Sequence, residues 1–453
     1  MNRTTITFWR GLRTIGGNIA EIRYGNDRII FDFGLIYDPV QAIPQHDDRT
    51  DSFVLDKLKI GAIPHIDGIY AEQDLQGSSY NMTKPLSFEA SPYNTSVFIS
   101  HLHLDHIGAV DTLSRELPIY MSQPSKQLFE TLNDIGEALQ RTPPVRDYTF
   151  NEPIHVGEIT VTPYRVDHDI IGASAFLIET PDATIVNSGD IRMHGQHPEW
   201  NDAWINDMTS KDIDLLLMEG TTFFPDEGNQ AEKKGISERD IRALTTELLH
   251  ETKGLVTFNI YHRNIDRLNH FVTAAQQASR TIVFEPETAY VADCFLEQGD
   301  FAIYHTSMPH THWHKALTEK YTQVTNNDIN KQPGQYVLQN SYDRMMNLLD
   351  FNLQDSLYIH SNGMPLGAFD PAFNTMHAFL EMLDMSYHSL NISGHATNED
   401  ILAIIDRINP KLLIPWHSFH PELVKPINDH QAVYLPEQNT TYTINSGKLT
   451  AIN

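Results

Sequence analysis

The sequence predicts a layered α/β protein with a second α/β unit inserted inside the first, and three observations predict it. Short apolar strands end repeatedly in histidine, aspartate or glutamate, at 101–106, 168, 190 and 219. From about 222 the pattern becomes a regular alternation of helix and strand, as in a parallel sheet with helices on its faces. From 389 the site-bearing segments return, at His395 and His417, so the first unit closes only after the second is complete. In layered α/β proteins sites collect beyond strand ends, so these side chains are expected to converge.

A chain of 453 residues is long enough for two or three domains, each with its own core. The start, Met1-Asn2-Arg3-Thr4-Thr5, leads directly into alternating apolar residues without a signal-peptide core, and no apolar run has spanning length. The single cysteine, Cys294, excludes an internal disulfide. A cytoplasmic location and no membrane partner are therefore expected. The formal net charge of −27 argues against a protein that grips nucleic acid with its whole surface. A polyanionic ligand would need a locally positive groove, with bound metal supplying much of the charge.

Residues 5–9, 20–24 and 28–34 read as a strand meander turning at Gly16-Gly17-Asn18 and Gly25-Asn26-Asp27. Asp32 closes an apolar strand before Gly34, either orienting a neighbouring site or capping the strand end. Residues 35–95 are irregular and rich in proline, an excursion that reads as functional or as a small lid. Val97-Phe98-Ile99 is a buried strand, and beyond it His101 and His103, two apart, point the same way. A helix is expected to begin near Gly108, then a strand at 118–121, a helix over 125–141 and a strand at 159–162. Residues 164–168 form a strand ending in His168, and 173–179 the next. Residues 183–190 end in Gly189-Asp190, and 213–218 stop at Glu219-Gly220-Thr221.

In the inserted part Ser237 caps a helix to about 250, with Asp240 in its first turn. Strands follow at 254–258, 281–284, 336–339 and 356–360, with helices at 264–279 and 288–297 and a helical run at 344–349 whose apolar residues face the core. His262 and His360 also stand at strand ends and read as satisfied or solvated histidines. A strand at 390–396 then runs into a small-residue turn. Helix 398–409 carries Ile401, Leu402, Ile404, Ile405 and Ile408 near the helical period. A strand at 411–415 leads into Trp416-His417, and closing strands occupy 432–453.

Imidazole and carboxylate suit zinc and similar divalent ions, and so many at one strand end can serve two metals rather than one. The set His101-x-His103-x-Asp105-His106, His168 and Asp190 resembles the metal-binding signature of the metallo-β-lactamase superfamily. Glu219-Gly220-Thr221, Ser393-Gly394-His395-Ala396 and His417 are similar to the three added motifs of its β-CASP nuclease branch. Gly16-Gly17-Asn18, Val166-Asp167-His168-Asp169, Val256-Thr257-Phe258 and Arg263-Asn264-Ile265 bring the chain nearest the ribonuclease J group.

The resemblance implies an αββα metallo-β-lactamase sandwich, over 1–220 and 389–453, with an inserted β-CASP domain over 221–388. It implies a metal-dependent ribonuclease, exonucleolytic, endonucleolytic or both, that hydrolyses RNA, with single-stranded DNA as a further substrate, through a two-metal-activated hydroxide. His101, His103 and His168 would bind one zinc or manganese ion, and Asp105, His106 and His417 a second, with Asp190 bridging. His395 would assist the leaving group, oriented by Glu219, while Ser393, Gly394, Arg263 and Asn264 would face the phosphate. Asn264 has a competing role as a helix start. The alternative is a hydrolase of the same fold acting on another phosphodiester or on a small ester or lactone. The long insertion speaks against it, because a small substrate needs no second domain. Two departures stand out. Ribonuclease J-like chains carry His-Gly-Glu where this one has His417-Ser418-Phe419-His420-Pro421-Glu422. The chain also ends at Asn453, short of the additional C-terminal domain of that group, so its homodimer does not carry over.

Overall fold

Thr4–Arg10, Ile19–Tyr24 and Asp27–Phe31 pair antiparallel as the expected meander. Asn94–Phe98 then joins Asp27–Phe31 in parallel, with Phe31 opposite Phe98. In this computed structural model, which describes residues 2–36, 52–77, 82–137, 139–225, 235–297, 299–305, 311–428 and 431–452, those strands belong to an eight-stranded sheet. Its far edge comes from the C-terminal strands Thr441–Asn445 and Lys448–Ala451. A second sheet of seven strands centres on Ser174–Thr180, Ala183–Asn187, Leu215–Glu219 and Leu412–Trp416.

The two sheets face each other through Phe8, Ile22, Phe31 and Phe98 on one side and Phe176, Ile185, Leu217 and Ile414 on the other. Phe31 and Phe176 pack with ring centroids 5.0 Å apart. Helices Pro198–Thr209 and Asn398–Ile408 cover the outer face of the second sheet, burying Trp204, Ile205, Ile401, Ile404 and Ile405. Helix Gln123–Asp134 packs on the first sheet's side. This is the αββα sandwich that the resemblance implies, and burial of the large apolar side chains between layers is what holds it.

The third sheet draws all its strands from between residues 256 and 389 and is wholly parallel, with Val256–Ile260 near its centre between Tyr336–Gln339 and Leu357–Ser361. Its helix Pro286–Phe295 touches helix Gln123–Asp134 through Tyr290 Oη and Asp134 Oδ2 at 2.8 Å. A buried charged chain also joins it to the sandwich. Arg192 Nε reaches Asp167 Oδ1 at 3.0 Å and Arg192 Nη1 reaches Glu238 Oε2 at 3.1 Å. Glu238 in turn takes both ends of the Arg267 fork, at 2.5 and 2.7 Å.

Several expectations are corrected. The helix expected to begin at Gly108 instead ends there: it runs Leu104–Ile107 with His103 as N-cap. Its shortness follows from packing, since Gly108 lies against the carbonyl of Leu104 and its successor Ala109 donates to Phe33 O at 2.9 Å. The 125–141 helix stops at Asp134, because Gly136 adopts φ 85° and turns the chain. The segment 390–396 is no strand. The edge strand is Ser386–Ser389, and beyond it side chains replace the ladder: Asn362 Oδ1 accepts from Ile392 N at 2.9 Å and Arg267 donates to Leu390 O at 3.2 Å. The run 344–349 lies in a 3₁₀ helix, Tyr342–Asp350, that buries Met345 and Leu348 but leaves Met346 and Leu349 exposed. Of the expected lid, 37–51 and 78–81 lie outside the described residues. Of the rest, Phe53, Val54, Leu55, Ile66 and Tyr70 are buried in the core, while residues such as Ile60 and Leu86 are exposed.

Candidate metal centre

The parallel strands of both sandwich sheets end at one place, and the polar residues sit at or just past those ends. His101 follows Phe98 by three residues, His168 follows Arg165 by three and Asp190 follows Asn187 by three. Glu219 closes its own strand and pairs in register with Trp416, which puts His417 beside it. His417 has φ 49°, a left-handed conformation that its neighbours impose. Its N–H donates to Gly11 O at 3.2 Å, and Trp416 Nε1 donates to Arg10 O at 3.2 Å.

Four overlapping sets of donor atoms result: His101, His103 and His168; His101, His106 and Asp190; Asp105, His106 and His417; and Asp190, Glu219, His395 and His417. Within each set the donor atoms lie within 4.8 Å of one another. His101 Nε2 and His168 Nε2 lie 3.0 and 3.2 Å from His103 Nδ1. Asp190 Oδ2 lies 3.1 Å from His106 Nε2 and 3.7 Å from His101 Nε2. Asp105 Oδ2 lies 3.0 Å from His417 Nε2. Asp190 thus stands between the two histidine groups.

Five of the six imidazoles are held by an oxygen at the other nitrogen, and the sixth, His103, has only the Asp169 carboxylate approaching it. Ser100 Oγ is 3.0 Å from His101 Nδ1, Asp32 Oδ2 is 2.8 Å from His106 Nδ1, and Thr221 Oγ1 is 2.7 Å from His417 Nδ1. His168 Nδ1 donates to Gly394 O at 2.6 Å, Glu219 Oε2 is 2.8 Å from His395 Nδ1, and Asp169 Oδ1 is 3.4 Å from His103 Nε2. Such outer partners fix ring direction, and in a neutral imidazole they also fix the tautomer and leave the inward nitrogen its lone pair.

The electrostatics fit a cationic ligand. Burial pushes His101, His103 and His168 below the ordinary imidazole range, His168 to about 3, so these three are neutral donors. Burial opposes ionisation of Asp190, yet His417 and His106 outweigh it and hold the carboxyl well below its usual range. Asp105 is likewise held low, chiefly by His106 and His417 against its burial. His395 is also penalised by burial, but Glu219, Asp190 and Asp169 raise its pKa to about 10. His106 differs: burial opposes its charge, but Asp190, Asp105 and Asp32 raise it well above the ordinary imidazole range. Neutral His101, His103 and His168 beside the ionised carboxylates of Asp105 and Asp190, all buried or half-buried, are a donor set that suits divalent metal.

The remaining expected residues divide. Gly394 is packed against the Asp169 carboxylate, where a Cβ would come within 2.7 Å. Ser393 Oγ accepts from His395 N at 3.0 Å and so shapes the turn that carries His395. Arg263 approaches the His101–His103 loop, with Nη1 3.5 Å from Leu102 O, and pairs with Glu137 at 3.2 Å. Asn264 is buried and caps helix Ile265–Gln277, its Oδ1 accepting from Arg267 N at 3.0 Å. Sequence reasoning assigned no role to Asn18, Asp169 or Thr221, yet all three touch the cluster, Asn18 Nδ2 lying 3.2 Å from His106 Nε2. The signal available was adjacency: each lies within or beside a quoted motif.

Comparison with known proteins agrees. A model of the Beta-lactamase superfamily domain matches residues 74–250. Ribonuclease J of Pyrococcus abyssi is 22% identical over 429 residues, covering 90% of this chain and 88% of that one. Ribonuclease J of Mycoplasma genitalium is 24% identical over 91% of this chain and 68% of its own length. For ribonuclease J of Helicobacter pylori J99 the match is 23% over 96% of this chain but only 58% of the relative. A crystal structure of a protein of unknown function from Enterococcus faecalis V583 superimposes with TM-score 0.80 at 30% identity, covering 97% of this chain and all of that one. Sandwich, inserted parallel sheet and cluster agree with these matches, and over nearly its whole length the chain resembles the ribonuclease J group of the metallo-β-lactamase superfamily's β-CASP branch.

Proposed function

We propose that the protein is a metal-dependent ribonuclease that hydrolyses RNA phosphodiester bonds, with single-stranded DNA as a second substrate. The observation that carries this is Asp190 standing between two histidine groups, with the His395–Glu219 pair at its flank. We assign His101, His103 and His168 to one ion, Asp105, His106 and His417 to a second, and Asp190 to both. Zinc or manganese suits these nitrogen and oxygen donors. Two such ions would supply a hydroxide nucleophile at neutral pH and positive charge for the attacked phosphate.

The chain's own groups do the rest. Glu219 Oε1 accepts from Ile191 N at 2.7 Å, so the carboxylate is fixed and its Oε2 locks His395 through Nδ1. The imidazolium then presents its Nε2 proton outward, and it passes to the leaving oxygen as the P–O bond breaks. Arg263 and Gly394 face the phosphate; Ser393 and Asn264 act through the turns they hold. The domains of this reading are 1–220 with 389–453, and 221–388 between them. The wholly parallel third sheet, drawn from residues 256–389, supports an inserted unit between the two parts of the sandwich.

Incubating 5′-labelled RNA with the purified protein, with and without chelator, tests the proposal. Metal-dependent cleavage is expected; none of RNA or single-stranded DNA would overturn it. Comparing 5′-monophosphorylated with 5′-triphosphorylated RNA, scored for mononucleotides, separates exonucleolytic from endonucleolytic cutting.

A further inference from the structure

Where ribonuclease J-like chains carry His-Gly-Glu, this chain has Phe419 and His420 two and three residues beyond His417. The structure places them against Phe224, which follows Thr221 by three. The Phe224 and Phe419 ring centroids are 6.3 Å apart, and Phe224 and His420 meet edge to face at 6.0 Å. The two loops are tied at the metal centre by Thr221 and His417. They also touch at Gly220, where a Cβ would lie 3.1 Å from Ser418 Cβ. Despite their size, Phe224 is 37% and Phe419 46% exposed. Two partly exposed phenylalanines side by side, on the two loops that hold the centre, offer ring faces to a flat apolar partner.

We propose that Phe224 and Phe419 form a stacking platform for an unpaired base of the nucleic-acid strand whose phosphate sits at the metal centre. The proposal rests on the nuclease reading above and adds how this chain holds its substrate. A protein of net charge −27 gains little from long-range attraction to a polyanion. The nearby guanidinium of Arg13, exposed at the rim, is already paired with Glu422 at 2.9 Å. Stacking on a ring supplies affinity without charge and without sequence preference, because every base has a π-face. The platform continues directly from the cluster, so the base it takes lies within a few nucleotides of the scissile bond.

The test uses the metal-loaded protein carrying His395→Ala, to slow cleavage, and fluorescence anisotropy with a labelled single-stranded RNA and an abasic strand of equal length. Replacing both phenylalanines by alanine should weaken binding of the base-bearing strand about 5- to 150-fold and leave the abasic strand unchanged. Phe419→Trp should preserve binding and show emission quenched by the strand. Equal binding of the base-bearing strand by the double variant overturns the platform, as does equal weakening of both strands. A concentration-dependent mass lost in the double variant would assign the patch to a second copy of the chain and overturn it too. If the parent protein binds no strand at all, the nuclease reading fails and takes the platform with it.

Discussion

Thr221 Oγ1 lies 2.7 Å from Nδ1 of His417, and this contact ties the strand end that carries Glu219 to the one that carries His417. His417 sits in a left-handed conformation, so its ring depends on such anchors to face Asp105. Thr221→Val keeps the shape and removes the hydroxyl. It should weaken metal binding about 10- to 100-fold at the Asp105–His106–His417 group, the usual effect of losing an outer-shell partner. Metal content after competition with a graded series of chelators measures this, and Thr221→Ser should restore it.

His395 touches no residue of the inner histidine group through a hydrogen bond, only the Glu219 carboxylate and its own turn. His395→Ala should therefore retain its metal content while turnover falls about 10²-fold or more. Loss of metal in that variant would contradict its role.

Because Glu219, Asp190 and Asp169 raise the pKa of His395 to about 10 against its burial, its proton is present below that pH and lost above it. Activity that needs the proton falls as pH rises through that value. Glu219→Gln removes the strongest of the three carboxylates, so the alkaline limb of the rate profile should move to lower pH. An unmoved limb would exclude His395 as the proton donor.

Glu238 is fully buried between Arg192 and Arg267, and these guanidiniums outweigh burial to hold its pKa at about 2 against an ordinary 4.5. A depressed carboxyl contributes stability above its ordinary value and loses it as pH falls toward the folded one, so this contribution should fade from pH 4.5 down to about 2. Glu238→Gln leaves Arg267 without its carboxylate partner and Arg192 with Asp167 alone, and should cost about 3–5 kcal/mol by denaturant titration. Since Arg192 follows Asp190 by two residues, metal affinity should fall as well.

Asp190 is shared between both histidine groups. Asp190→Ala should lose metal and activity together, and chelation of the parent protein should lower its melting temperature, since an ion bound only by the folded state stabilises it. Among the described residues no helix is long and apolar enough to cross a membrane.

What the sequence determined by itself was everything carried by local pattern. His101, His103, Asp105 and His106 are legible because four ligand-type side chains in six positions are rare. The strands ending at His168, Asp190, Glu219 and His417 are legible because apolar runs stop there, and the inserted sheet because its βα alternation is regular. Boundaries governed by contacts distant in sequence were not legible. The helix after His103 ends at Gly108 because Phe33 and Leu104 carbonyls take up the chain there. The 390–396 segment leaves strand geometry because Arg267 and Asn362 bond its backbone from another element. Only the tertiary structure decided which nitrogen of each imidazole faces inward, since Ser100, Asp32, Thr221, Gly394 and Asp169 reach the rings across as many as 226 residues of chain. A histidine's place in the sequence says that it can bind metal. The oxygen on its far nitrogen, supplied by the fold, fixes which lone pair it offers and in what direction.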